Sequence, residues 1–187
     1  MAMHKKQSDQ ERQWVELISY SELMTCFDKM GKEITQALSD TKPIVLSVMN
    51  GALMPTAEIM KRLEFPMELD YVHVSRYHGG EKPSTELVWY KQPTIDLTDR
   101  TVIIVDDILD GGITLGEIKK HCLDRGAKDV RTAVMLDKRV SRDPTALVQE
   151  ADFVGLEIED HYVFGFGLDD NNYCRNLKAI YTIKSEG

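Results

Sequence analysis

The sequence predicts an α/β protein built on a doubly wound, mostly parallel sheet, and three observations carry that expectation. Short runs of β-formers alternate with segments of helical periodicity along 187 residues, a length suited to one domain spanning 1–187. The stretch TVIIVDDILDGGITLGEI, Thr101 to Ile118, passes from a β-rich run through acids and glycines straight into a helical pattern. No internal repeat or low-complexity tract interrupts the alternation.

Each element has its own local signal. Residues 1–8 are polar and expected to be disordered, and Ser8 with Glu11 offers a capping box for a short helix around Trp14 and Leu17. Ser19 and Glu22 repeat the box. Leu23, Phe27, Met30, Ile34 and Leu38 then recur at helical spacing, which predicts an amphipathic helix ending near Ser39, broken by Asp40 to Pro43. Ile44 to Met49 reads as a strand, Asn50-Gly51 as a turn, and Pro55 falls in the first turn of a helix reaching Leu63. Met67 to Val74 is a further strand. The polar, turn-rich SRYHGGEKPSTE follows as a mobile loop, flanked by a short strand from Glu86 to Tyr90. Thr101 to Val105 predicts a strand, Thr114 with Glu117 a capping box opening a helix to Asp124, and Gly126 the end of that helix. Val130 to Leu136 and Phe153 to Ile158 are strands, with weaker patterns at Val163 to Leu168 and Ala179 to Ile183.

Composition narrows the function. A net charge of −8, with no run of Lys and Arg, disfavours a nucleic-acid or anionic-membrane surface and favours a small-molecule ligand. Apolar runs such as Val102 to Val105 are too short to span a bilayer, and MAMHKKQSDQ lacks a signal-peptide core, so a cytoplasmic protein is expected. Cys26, Cys122 and Cys174 are widely spaced and read as reduced thiols. The five histidines show no ligand spacing, so any metal would be bound by oxygen.

In a doubly wound sheet, ligands collect at the carboxyl ends of strands, where Asp106 and Asp107 fall if the strand ends at Val105. Gly111 and Gly112 let backbone N–H groups approach a ligand, and Thr114 sits at a helix N-terminus, which together make a phosphate cradle. Carboxylates beside a phosphate repel it unless they face hydroxyl donors or a hard cation such as Mg²⁺; a sugar phosphate with Mg²⁺ satisfies both ends. The plainer reading is a strand-to-helix turn whose acids cap and solvate. Two adjacent acids, a third at Asp110, and Gly-Gly-x-Thr exceed what a cap needs. FGFGLD at Phe164 to Asp169 lacks the third glycine and following helix of a dinucleotide fingerprint.

VIIVDDILDGGIT resembles the phosphoribosyl pyrophosphate signature of the type I phosphoribosyltransferases. DKR at Asp137 to Arg139, ADFVGLEI at Ala151 to Ile158 and HYVFGFGLDDNNYCRNL at His161 to Leu177 resemble the purine-binding half of the hypoxanthine-guanine phosphoribosyltransferases. With VMNGAL at Val48 to Leu53, the resemblance covers most of the chain. It implies the type I fold with a small hood from the terminal segments, a homodimer or homotetramer, and Mg²⁺. It also implies purine salvage: hypoxanthine or guanine joined to phosphoribosyl pyrophosphate, giving IMP or GMP plus pyrophosphate.

The resemblance implies roles residue by residue. Asp106 and Asp107 would hold the ribose hydroxyls, directly or through Mg²⁺, and Asp110 would accept the purine N7 proton. Gly111, Gly112, Ile113 and Thr114 would hold the 5′-phosphate. Asn50 and Gly51 would grip pyrophosphate, with Arg175 beside it. Lys138 would donate to the purine 6-oxo group, Tyr162 would stack on the base, and Val163 would touch it through its backbone. Asp169 would border the purine and serve a second Mg²⁺. Tyr77 would anchor the closing loop. The chain departs from the pattern at Gly111, where many members have threonine, and at Ile113, where lysine is common. It has Arg76-Tyr77 where many have Ser-Tyr, with Ser75 displaced by one position. Without the resemblance, Lys138 reads equally as a solvated base, Tyr162 as core, Asp169-Asp170 as a turn and Arg175 as a surface ion pair. Two other functions fit the same motifs: a non-catalytic regulator sensing phosphoribosyl pyrophosphate, and a xanthine-preferring transferase. A regulator acting on nucleic acid would display a basic face, which this acidic chain lacks.

Overall fold

A computed structural model describes residues 13–76, 87–142, 144 and 146–184. The order is β1 (Trp14–Ile18), α1 (Tyr20–Leu38), β2 (Ile44–Met49), α2 (Leu53–Met60), β3 (Glu68–Arg76), β4 (Leu87–Lys91), β5 (Thr101–Leu109), α3 (Ile113–Asp124), β6 (Asp129–Lys138), β7 (Phe153–Ile158), β8 (Val163–Phe164) and β9 (Ile180–Ile183). Six strands form one sheet in the order β4-β3-β2-β5-β6-β7, parallel except for β4. A second, antiparallel sheet, β1-β9-β8, is made from the terminal segments and is the expected hood.

The central strands read as continuous apolar runs because both faces are covered. Along β5, Ile103 and Val105 join the core under α1 and α2, while Val102 and Ile104 join the core under α3. Helices on both faces make the sheet doubly wound. The Ser19–Glu22 capping box forms in both directions, and Leu23, Phe27, Met30, Ile34 and Leu38 are all buried on one face of α1. Gly126, at φ +85°, ends α3 with its N–H donating to Leu123 O.

Several expectations change. The segment around Trp14 and Leu17 is a strand, not a helix: it pairs with β9, and Trp14 packs edge-on against Phe164 at 5.1 Å. Helix α2 ends at Met60 rather than Leu63, because Arg62 and Leu63 tighten to bonds with Ile59 O and Met60 O. Strand β5 runs to Leu109, so Asp106 and Asp107 lie within it; β6 continues alongside to Leu109↔Asp137, whereas β2 leaves at Ser47↔Val105. The Thr114–Glu117 box does not form, since α3 opens two residues earlier, from Gly112 at φ +74° with no side-chain cap. Gly165 and Gly167, both at positive φ, cut the expected Val163 to Leu168 strand to two residues.

Cys26, Cys122 and Cys174 are free, and burial pushes the Cys26 and Cys122 thiols up to about 11. Among the described residues no helix is long and apolar enough to cross a membrane. Residues 1–8, the Ser8–Glu11 box and Tyr77 with most of its loop lie outside the described residues.

Candidate active site

Where β2 departs, β5 projects past it and leaves room for a cavity of about 330 Å³. Its lining brings together Gly51, Asp106, Asp107, Asp110, Gly111, Gly112, Thr114, Asp169 and Arg175. The sequence had placed these residues in three separate motifs.

Three loops meet here at contact distances that only glycine permits. A Cβ on Gly51 would stand 1.7 Å from Asp107 Oδ2, so the 50–52 turn and the acid occupy adjoining space. A Cβ on Gly167, which is also held at φ +103°, would stand 2.1 Å from Gly51 O. The turn itself follows a cis Met49–Asn50 peptide, and a Ser47–Thr56 hydroxyl bond of 2.8 Å ties β2 to α2 behind it. Gly112 is required twice over: its φ is left-handed, and a Cβ there would meet Val148 O at 2.2 Å.

The electrostatics divide the cavity. Burial pushes the Asp106 carboxyl well above the usual carboxylate range, and the neighbouring Asp107 charge adds to it; burial raises Asp107 as well. The Asp107 N–H donates to Asp106 Oδ1 at 2.9 Å and the Arg175 charge acts to lower Asp107, but burial outweighs both. At the other wall, α3 begins without a side-chain cap, so its first N–H groups are free to meet an anion beside Gly111 and Thr114. Arg175 is held by Gly167 O at 2.7 Å and Asp169 Oδ1 at 2.6 Å.

Mg²⁺ suits the acid pair. Among the described residues no cluster of three ligating side chains exists to cage an ion. Two adjacent oxygen-only carboxylates, Asp106 buried and Asp107 half-buried, open to a cavity, are a donor set that would suit Mg²⁺. Asp169 is less open to a second ion, because Oδ1 pairs with Arg175 and Oδ2 accepts from Asn172 N at 2.8 Å.

The remaining expected residues sit around this centre. Lys138, at the end of β6, reaches Asp110 Oδ2 at 3.8 Å and Asp160 Oδ1 at 3.0 Å, so it borders the cavity through Asp110. Asn50 is exposed beside Gly51, and Ile113 is the half-buried first residue of α3; neither lines the cavity. Tyr162 lies at the hood, half exposed, donating to Asp170 Oδ1 at 2.9 Å and lining a separate hollow. Val163 is buried in β8 opposite Thr182. Sequence reasoning missed Asp160, Gly167 and Arg142. Gly167 was visible as part of FGFGLD, whereas the other two look like ordinary surface charges until the strand ends are brought together.

Residues 20–171 match the phosphoribosyl transferase domain family, and the chain belongs to that family. It is 32% identical over 170 residues to a hypoxanthine-guanine phosphoribosyltransferase of Streptococcus pneumoniae, covering 91% of this chain and 93% of the relative. It is 33% identical over 168 residues to the enzyme of that name from Bacillus subtilis, covering 90% and 92%. Among solved structures it is similar to a hypoxanthine phosphoribosyltransferase of Staphylococcus aureus, with TM-score 0.84, 28% identity and 91% of each chain covered.

Proposed function

We propose that this protein is a purine salvage transferase that joins hypoxanthine or guanine to phosphoribosyl pyrophosphate, releasing pyrophosphate and forming IMP or GMP. The single observation that carries the reading is the cavity in which Asp106, Asp107 and Asp110 share walls with the uncapped start of α3. A sugar carrying phosphate at one end and needing a proton acceptor at the other matches that division.

Departure of pyrophosphate from ribose C1 builds positive charge on the sugar and negative charge on the leaving group. Asp106 and Asp107 would hold the ribose hydroxyls and Mg²⁺, which when bound neutralises charge on the departing pyrophosphate. N–H groups at Gly111 to Thr114 would hold the 5′-phosphate. Asn50, Gly51 and Arg175 would meet pyrophosphate, and Asp169 supports this by fixing the Arg175 guanidinium. Asp110 is the proposed catalytic residue, accepting the purine N7 proton as N9 bonds to C1. Lys138 would read the 6-oxo group, supported by its position beside Asp110. Tyr162 and Val163 would close on the base from the hood, and Tyr77 would anchor the loop that excludes water.

In the same reading the chain is one domain that works in the cytoplasm as a homodimer or homotetramer. Exposed Leu69, Tyr71 and Tyr90 on the outer strands support an assembly that would cover them. Incubation with Mg²⁺, phosphoribosyl pyrophosphate and single nucleobases, with products identified by mass, tests the function. Formation of IMP and GMP is expected, and failure to form either would overturn it.

A further inference from the structure

We infer that Arg142 is a positioning residue that sets the distance between the proton acceptor Asp110 and the base reader Lys138. This rests on the proposed function. The paired ladder between β5 and β6 ends at Leu109↔Asp137, one residue short of both side chains. Beyond that last rung β5 and β6 no longer pair with each other, although Lys138 still pairs with Ile158 of β7 and its carbonyl also accepts from Val140 N, and Arg142 bridges the two strand ends. Its Nε donates to Asp110 O at 2.8 Å, and its Nη2 donates to Leu109 O at 3.1 Å and Lys138 O at 2.8 Å. Nη2 also pairs with the Asp137 carboxylate, which balances the charge of a side chain only 10% exposed.

The fourth carbonyl extends the same device to the phosphate loop. Arg142 Nη1 donates to Gln149 O at 2.7 Å, and the adjoining Val148 O is the atom against which Gly112 packs. One guanidinium therefore holds the backbone of the acceptor, the backbone of the base reader and the segment behind the phosphate loop. No other side chain could do so. A planar fork with five donors and no acceptor matches several converging carbonyls, whereas a lysine has three donors at one point. Arg142 does not line the cavity that holds Asp106, Asp107 and Asp110; it acts through Asp110 and Lys138.

The test compares wild type with Arg142→Ala and Arg142→Lys in steady-state kinetics for hypoxanthine at saturating phosphoribosyl pyrophosphate, with folding followed by circular dichroism. Misplacing the two side chains by about 1 Å should cost up to about 10²-fold in kcat/KM, expressed as a rise in KM for hypoxanthine as well as a fall in kcat. Guanidinium ion at millimolar concentration should restore Arg142→Ala and leave wild type unchanged. Arg142→Lys, which keeps the charge beside Asp137, should remain impaired, and it carries the test if the alanine variant does not fold. A fall in kcat alone with KM unchanged is what fewer folded molecules would give, and it would overturn the inference. So would full activity in Arg142→Lys. A wild type that forms no IMP overturns the proposed function, and this inference with it.

Discussion

Gly51 and Asp107 share one volume: a methyl placed on residue 51 would stand 1.7 Å from the Asp107 carboxylate oxygen. The Asn50–Gly51 turn and the Asp107 carboxylate are thus set by close approach of the two. Gly51→Ala should push the Asp107 carboxylate aside while leaving the core intact, since no buried apolar contact is removed. A loss of about 10²-fold in kcat/KM for phosphoribosyl pyrophosphate is expected, with a melting temperature close to wild type. Unchanged kinetics would show that Asp107 can move without consequence.

The acid pair should make the unliganded protein less stable at neutral pH. Asp106 is raised in the folded state above its ordinary 3.8, so the folded form binds its proton more tightly than the unfolded chain does. The contribution is fully present below the ordinary value and is lost as pH rises through the raised one. Asp106→Asn removes this penalty. In chelator at pH 7 the variant should therefore melt at a higher temperature than wild type while losing most activity, with the gap closing as pH falls toward 4. Identical melting curves at both pH values would contradict the raised carboxyl.

Asp70 behaves in the opposite sense. Burial alone would raise it, but the Lys91 ammonium at 2.6 Å and the N–H groups of Thr94, Tyr71 and Ile95 outweigh burial and hold it well below the usual range. Its contribution is present above the ordinary value of 3.8 and is lost as pH falls through the lowered one. Asp70→Asn removes the charge partner of Lys91, which keeps its bonds to Tyr71 O and Gln92 O, and should cost about 2–4 kcal/mol at neutral pH. Urea denaturation of the variant measures this, and a change below about 0.5 kcal/mol would place the pair among ordinary surface bridges.

Base choice should depend on Lys138. Its ammonium donates and cannot accept, so a 6-oxo purine suits it and the amino group of adenine opposes it. An unmet buried donor costs about 1–3 kcal/mol, which predicts at least about 10²-fold preference for hypoxanthine over adenine once the surroundings are included. Lys138→Gln, whose amide can donate or accept, should narrow that gap while lowering activity on hypoxanthine and guanine. The check is kcat/KM for all three bases; unchanged proportions would remove Lys138 from this role.

Much of this was legible in the sequence because local chemistry and tertiary demand agree. The Ser19–Glu22 box, the apolar stripe of α1 and the doubly covered strand β5 each carry their signal within a few residues. The departures arise where a distant partner decides. Trp14 to Ile18 becomes a strand only because β9, more than 160 residues away, offers an edge. Asp106 and Asp107 extend β5 because β6 runs on beside them, and no feature of VIIVDD alone marks that length. At the site, the acids and glycines of TVIIVDDILDGGITLGEI were readable, since glycines permit close backbone approach to an anion and adjacent acids call for hydroxyl donors or a hard cation. Arg142 was not, because its partners are backbone carbonyls, which every sequence supplies and none advertises.

Asp110 is proposed to take a proton from the base in a cavity built by Asp106, Asp107 and the start of α3. The most direct test is single-turnover conversion of hypoxanthine by wild type and Asp110→Asn, with Mg²⁺ and phosphoribosyl pyrophosphate saturating. Loss of a positioned base predicts a chemical step slower by at least about 10²-fold, with phosphoribosyl pyrophosphate affinity and melting temperature preserved. A chemical step of unchanged rate in Asp110→Asn would contradict the account.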